Sequence, residues 1–274
     1  MFIGVIPSIA GMGGLAGANN RFLDLEIIQI TGAPAVDFDN TAGEINGMIL
    51  NGLGTGTAFS SHHGRSMDSL IVEGLSAANY AVAVDLHADE NDGSVAPLIL
   101  RSPDLLASSV LSAEMYPARI EGGQLVGEVA ASGSITIDLV DVTADQTSVY
   151  NEAVLKMWKT FNIDAQVNGA SIDVDFAIDT IGHTPSYSVE ASGSSVLLEL
   201  PMMVVEEGAS TSLQSITVIA STTGLPIQSR TVNVSEDMNT TIVVAMALNG
   251  APLVEILKPY SGQRVMETTP LAAE

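Results

Sequence analysis

The strongest constraint on this chain is a two-residue alternation of apolar and polar side chains. From Ile172 to Asp179 apolar and acidic residues change places at every step, interrupted only by Ala177. Successive side chains of an extended chain point to opposite faces, so Ile172, Val174, Phe176 and Ile178 share one side. Asp173, Asp175 and Asp179 then share the other. The same rhythm runs through 23–27, 82–86, 135–139, 216–218 and 232–234, while 196–200 and 242–248 are short, more continuously apolar runs. Antiparallel sheets with one wet face produce such alternation, whereas parallel sheets covered on both faces give unbroken apolar runs. Asn-Gly pairs at Asn46-Gly47, Asn51-Gly52, Asn168-Gly169 and Asn249-Gly250 supply the positive φ angles of tight hairpins. The expectation is an all-β chain. No fixed period of 20 to 50 residues stands out.

Two segments carry helical spacing instead. Ser102-Pro103-Asp104 offers a cap, a first-turn proline and an N-terminal carboxylate ahead of Leu105, Leu106, Val110, Leu111 and Met115, with Pro117 as a stop. Ser148 to Phe161 places Tyr150, Val154, Leu155, Trp158 and Phe161 on one stripe. The second helix would cross between two halves. The division expected is an apolar N-terminal arm over 1–20, a first sandwich over 21–145 and a second over 146–274.

Composition narrows the function. There are 32 acidic against 9 basic side chains, a formal charge of -23, and the cations are scattered. Nucleic-acid binding needs clustered Lys and Arg to displace counterions, so that class is set aside. The absence of Cys removes disulfides and thiolate metal sites. Aromatic residues are only 4% of the chain, which leaves aliphatic side chains to fill the core. Met1 to Gly17 is apolar but lacks a basic leading region and contains Pro7 and five glycines. It reads as an arm packing on a neighbouring subunit rather than a secretory signal.

No catalytic motif is present. Gly-x-Ser-x-Gly, a P-loop and His-Glu-x-x-His are all missing, and Gly52-Leu53-Gly54-Thr55-Gly56 has no Lys and opens no helix. Ser60-Ser61-His62-His63-Gly64-Arg65, followed by Asp68, holds nucleophile, base and acid types. Triads are assembled from separate parts of a fold, so a polar loop is the plainer reading. His62 and His63, as neighbours on a strand, would point to opposite faces. Asp173 and Asp175 could serve as a hydrolase carboxylate pair, but a wet strand face explains them more simply. No catalytic residue and no organic cofactor are therefore expected.

Calcium is the stronger chemical expectation. Asp85 to Ser94 packs oxygen-bearing side chains onto a segment leaving a strand, and hard cations take clustered oxygens. Asp85, Asp89, Glu90 and Asp92 are the candidate ligands. Asp37, Asp39 and Asn40, with Glu44 nearby, form a lesser group.

The order of elements in residues 7–145 resembles the first jelly roll of double jelly-roll major capsid proteins from tailless, membrane-containing bacteriophages, the corticovirus type being closest in size. The resemblance rests on the lead-in Ile6-Pro7-Ser8-Ile9-Ala10-Gly11 and the strand Leu23 to Ile30. It continues through Glu44 to Gly52, Met67 to Glu73, Ala81 to Leu86 and Ile135 to Val142. It implies two consecutive jelly-roll β-sandwiches and a structural, non-enzymatic protein. Homotrimers would tile an icosahedral virion shell over an internal membrane, which the N-terminal arm would face. The alternative is a secreted or cell-surface β-sandwich binding module, an adhesin or carbohydrate-binding domain, using its acidic loops for calcium.

Overall fold

The computed structural model describes residues 2–3, 8–9, 21–28, 34–39, 42–63, 69–89, 95–182, 187–234 and 240–246. Every regular element in these residues is a strand. The strands form one 18-stranded, mixed but mostly parallel sheet, curled like a half-barrel, and a separate four-stranded antiparallel sheet. Two jelly-roll sandwiches are not what the chain builds.

The large sheet is wound as a stack of coils. On one track Gly43–Asn51, Leu70–Ala88, Leu98–Arg101, Ala118–Glu121, Thr136–Val140 and Val154–Val167 pair in that order, always parallel. A second track stacks Val36–Asp39, Thr57–His63, Leu70–Ala88, Asp104–Glu114, Gln124–Ser132 and Gln146–Tyr150, again all parallel. The long strand Leu70–Ala88 serves both tracks. Phe2–Ile3 and Ser8–Ile9 pair in parallel with Arg21–Ile28 and Val36–Asp39. A parallel pair needs a crossover of a dozen or more residues. Here each track serves as the crossover of the other, and no helix is required.

Left-handed residues place the corners. Asn46, Glu73, Arg101, Glu121 and Val140 stack in register. The residue after each (Gly47, Gly74, Ser102, Gly122 and Asp141) has φ of 70°, 66°, 49°, 64° and 54°. A second set follows the stacked Glu114, Ser132 and Tyr150, where Met115, Gly133 and Asn151 have φ of 54°, 87° and 53°. Glycine adopts this conformation freely, whereas other residues pay roughly 1–2 kcal/mol. That cost is comparable to the roughly 1.5–3 kcal/mol gained by burying one aliphatic side chain. Each coil buries several of them. Ile45, Val72, Leu100, Ile120 and Leu139 form one inward ladder, and Val36, Phe59, Val84, Leu111 and Val129 another, all in one continuous core.

Both expected helices are strands. Asp104–Glu114 lies between two parallel neighbours with Leu105, Val110, Leu111 and Ala113 buried, while Leu106 is exposed. Ser102-Pro103 is a coil corner rather than a cap, because Ser102 is left-handed and Pro103 is buried there. The second expected helix splits into Gln146–Tyr150 and Val154–Val167, separated by left-handed Asn151 and Glu152. Its helical stripe was fortuitous, since Tyr150 is exposed while Ala153, Ile163 and Ala165 lie in the core.

The chain changes character along Val154–Val167. Residues 154–158 close the coil stack by parallel pairing with Thr136–Val140. The same strand pairs antiparallel with Ser195–Glu206, and residues 162–166 pair parallel with Thr241–Ala245. The small sheet has the order Ser188–Gly193, Val174–Ile181, Ser215–Ser221, Gln228–Asn233. Its inward Val174, Phe176, Ile178, Ile216 and Val218 join Phe161, Ile163, Leu200, Ile242 and Val244 in a second core.

Candidate functional site

Parallel, in-register coils place equivalent positions side by side, so outward residues form ladders of mixed chemistry. One such ladder on the second track runs His62, His87, Glu114, Ser132, Tyr150. It faces outward because the preceding residues, Ser61, Leu86, Ala113, Ala131 and Val149, are all buried. The His62 and His87 rings lie 5.2 Å apart at a 30° tilt. His62 Nε2 is 3.1 Å from Asp89 Oδ1, and His87 Nδ1 is 3.1 Å from Glu114 Oε2. His62, His87 and Asp89 each bring one donor atom within 4.8 Å of the other two.

The expected ligands are distributed unevenly around this cluster. Asp89 belongs to it. Asp85 is on the same outward face of Leu70–Ala88 but in register with Ser60 and Ser112, one ladder over. Glu90 and Asp92 lie outside the described residues. In the lesser acidic group, Asp37 and Asp39 are on Val36–Asp39, while Glu44 is on Gly43–Asn51; Asn40 lies outside the described residues. The polar-loop reading of the segment from Ser60 also gives way, since Ser60 to His63 is strand and Ser61 is fully buried beside the core. Gly64, Arg65 and Asp68 lie outside the described residues. Sequence reasoning missed His87 and Glu114. They are 25 and 52 positions beyond His62, and only the coil register makes them neighbours.

The first track carries a charged counterpart. Arg101 Nε donates to Glu121 at 3.0 Å, Arg119 Nε donates to the other oxygen of Glu121 at 2.6 Å, and Arg119 Nη2 meets both oxygens of Glu199 at 2.7 and 2.8 Å. Burial disfavours the Arg119 charge, but the hydrogen bonds it donates to Glu199 and Glu121 outweigh it and hold its pKa above the ordinary value. The Arg119 hydrogen bond holds the Glu121 carboxyl below its ordinary 4.5; partial burial opposes that shift and Arg101 reinforces it. These pairs tie the coil stack to the strand Ser195–Glu206. Trp158 Nε1 donates to Asp138 at 2.6 Å beside them. Inside the core, burial pushes the Tyr116 hydroxyl up to about 12.

Two shallow clefts lie among the described residues. One shallow cleft of about 420 Å3 is lined by Leu106, Val126, Glu128, Asp145 and Gln146 among others, and Glu128 is hydrogen bonded to Ser148. Another of similar volume is bordered by Asp173 and Asp175, where Asp175 accepts a 2.7 Å hydrogen bond from Ser192. At each cleft a serine hydroxyl donates to a carboxylate, and neither lining includes a His, Lys or Arg. No family model, curated protein or solved structure matches this chain.

Proposed function

We propose that this protein is a structural subunit that works by shape and association with copies of itself. The observation that carries this reading is an open sheet edge. Among the described residues, Ser188–Gly193 pairs on one side only, with Val174–Ile181. A free edge offers a row of unpaired backbone groups to another strand, and monomeric proteins blunt such edges with Lys, Pro or bulges. Ser-Val-Glu-Ala-Ser-Gly contains neither Lys nor Pro, and its register shows no bulge.

Composition supports the same reading. Charged residues are 15% of the chain, against about 25% in ordinary soluble domains, and the mean hydropathy is +0.34. A surface with so little charge is suited to partial burial in an assembly. A virion shell, the setting implied by the capsid resemblance, is one such assembly. The two-sandwich tile that resemblance implied is not part of this proposal.

Sizing with light scattering tests it. A trimer or larger species is expected at micromolar concentration. Ser188→Lys, an exposed change on the Ser188–Gly193 edge, should shift the population toward monomer without loss of β-type circular dichroism. A wild-type chain that stays monomeric across the accessible concentration range removes the proposal.

A further inference from the structure

We propose that His62, His87 and Asp89 form a binding site for one divalent transition-metal ion, with zinc as the physiological type. The site takes its donors from two successive coils. His62 belongs to Thr57–His63, His87 lies directly beside it on Leu70–Ala88, and Asp89 follows just past the end of that strand. Zinc holds imidazole nitrogen and carboxylate oxygen at about 2.0–2.2 Å in a tetrahedron, so its ligand atoms lie roughly 3.3 Å apart. The 3.1 Å from His62 Nε2 to Asp89 Oδ1 is already that spacing, and all three donors fall within 4.8 Å. A cation would take the place of the hydrogen bond between His62 and Asp89.

Glu114 supplies a second, independent feature. Its carboxylate is 3.1 Å from His87 Nδ1, on the next coil along the same ladder. A histidine that donates one ring N–H to a carboxylate has its tautomer and ring orientation fixed, and its other nitrogen becomes a better metal donor. Glu114 is therefore a positioning residue, and Nε2 of His87 is the ligand. The donor set also decides the class of ion. Two imidazoles and one carboxylate suit zinc, cobalt, nickel or copper, whereas calcium demands six or more oxygens. Three protein donors leave one tetrahedral position open to water or to a group from a second copy.

Titration of the full chain with Co2+, followed by visible absorption, is the direct test. One equivalent should produce the intense bands of four-coordinate cobalt, and one equivalent of Zn2+ should abolish them. Ca2+ in roughly hundredfold excess should leave them unchanged, since it competes poorly for imidazole nitrogen. His62→Gln and His87→Gln should each weaken Zn2+ binding by at least about tenfold, and Glu114→Gln by about tenfold while altering the cobalt spectrum. His183→Gln, a histidine outside the described residues, should bind as the wild type does. Weak six-coordinate cobalt spectra in the wild-type chain overturn the assignment even if a variant fails to fold. So does wild-type affinity in folded His62→Gln and His87→Gln, or displacement of the cobalt bands by Ca2+.

Discussion

The coil stack of residues 35–158 and the antiparallel unit of residues 161–246 are built from the same alternating sequence pattern, yet their strands run in opposite senses. Val174–Ile181 alternates buried and exposed or half-buried positions along its whole length. Leu98–Arg101 and Ala118–Glu121 alternate just as cleanly inside the parallel stack. Parallel sheets lose alternation when helices cover both faces. Among the described residues no helix lies over the outer face of the coils, so that face stays wet there and the pattern survives. Alternation therefore reports which side is dry, and says nothing about strand direction. Direction is written in the corners. Asn168 and Gly169, with φ of 51° and 82°, close a tight hairpin that turns the chain back on itself. A lone left-handed residue such as Gly74 or Ser102 bends the chain onward around the core instead.

The sharpest test of this contrast is whether the two regions unfold separately. Leu100 and Ile178 are both fully buried, one in each core. Truncating either to Ala should cost about 2–5 kcal/mol. Native-state hydrogen exchange should then show different footprints. Leu100→Ala should accelerate exchange in Leu98–Arg101, Ala118–Glu121 and Thr136–Val140 more than in Val174–Ile181 and Ser215–Ser221. Ile178→Ala should do the reverse. The shared strand Val154–Val167 should respond to both. Uniform acceleration by either variant would mean one cooperative unit, and the distinction between the regions would be geometric only.

A smaller effect probes the corners. Gly122 and Gly123 are adjacent and both left-handed, at φ of 64° and 83°. A Cβ at Gly122 meets open space, while one at Gly123 would lie 2.1 Å from the Pro103 carbonyl oxygen of the previous coil. Gly122→Ala should lose only the roughly 1–2 kcal/mol of conformational strain. Gly123→Ala should lose clearly more, because the coils must separate. In the antiparallel unit Gly208, at φ 72° with open space around it, should behave like Gly122. Thermal melts of the three variants give the ranking, and equal losses at Gly122 and Gly123 would show that the coils are not closely stacked there.

Much of the strand content was legible in the sequence, and the coil was not. Residues 82–86, 135–139, 172–179 and 216–218 all read as extended from their alternation, and nearly all of these positions lie in strands. The coil escaped notice because its length varies. From Ile71 to Ile99 the step is 28 residues, and from Asp138 to Lys156 it is 18. No fixed spacing marks it. The available signal was local, an apolar residue, one intervening position and then Gly, Ser or Asp, as in Val72-Glu73-Gly74, Leu100-Arg101-Ser102, Ile120-Glu121-Gly122 and Leu139-Val140-Asp141. The two apparent helices failed for a related reason. Pro103 is as suitable after a left-handed corner as it is in a first helical turn, and sequence spacing does not separate the two. The acidic segment after Asp85 pointed to Asp89, but its histidine neighbour His62 comes from the preceding coil, and that proximity exists only in the fold.

The smallest expected effect concerns how the two regions are tied together. Arg119 connects Glu121 of the coils to Glu199 of the antiparallel unit. The pairs are partly solvated, so each contributes no more than about 1 kcal/mol. Because the Glu121 carboxyl titrates below 4.5 when folded, the folded state favours its ionised form. Its contribution is complete above the unfolded value and is lost as pH falls through the folded value. Glu121→Gln should therefore lower stability modestly at neutral pH, and the gap to wild type should close in acid. Urea titrations at pH 7 and near pH 3 measure both gaps. A gap that stays constant would place the effect in packing and hydrogen bonding of the side chain. A gap that closes assigns it to charge, and the antiparallel unit is then held to the coils partly by an ionic tie that acid releases.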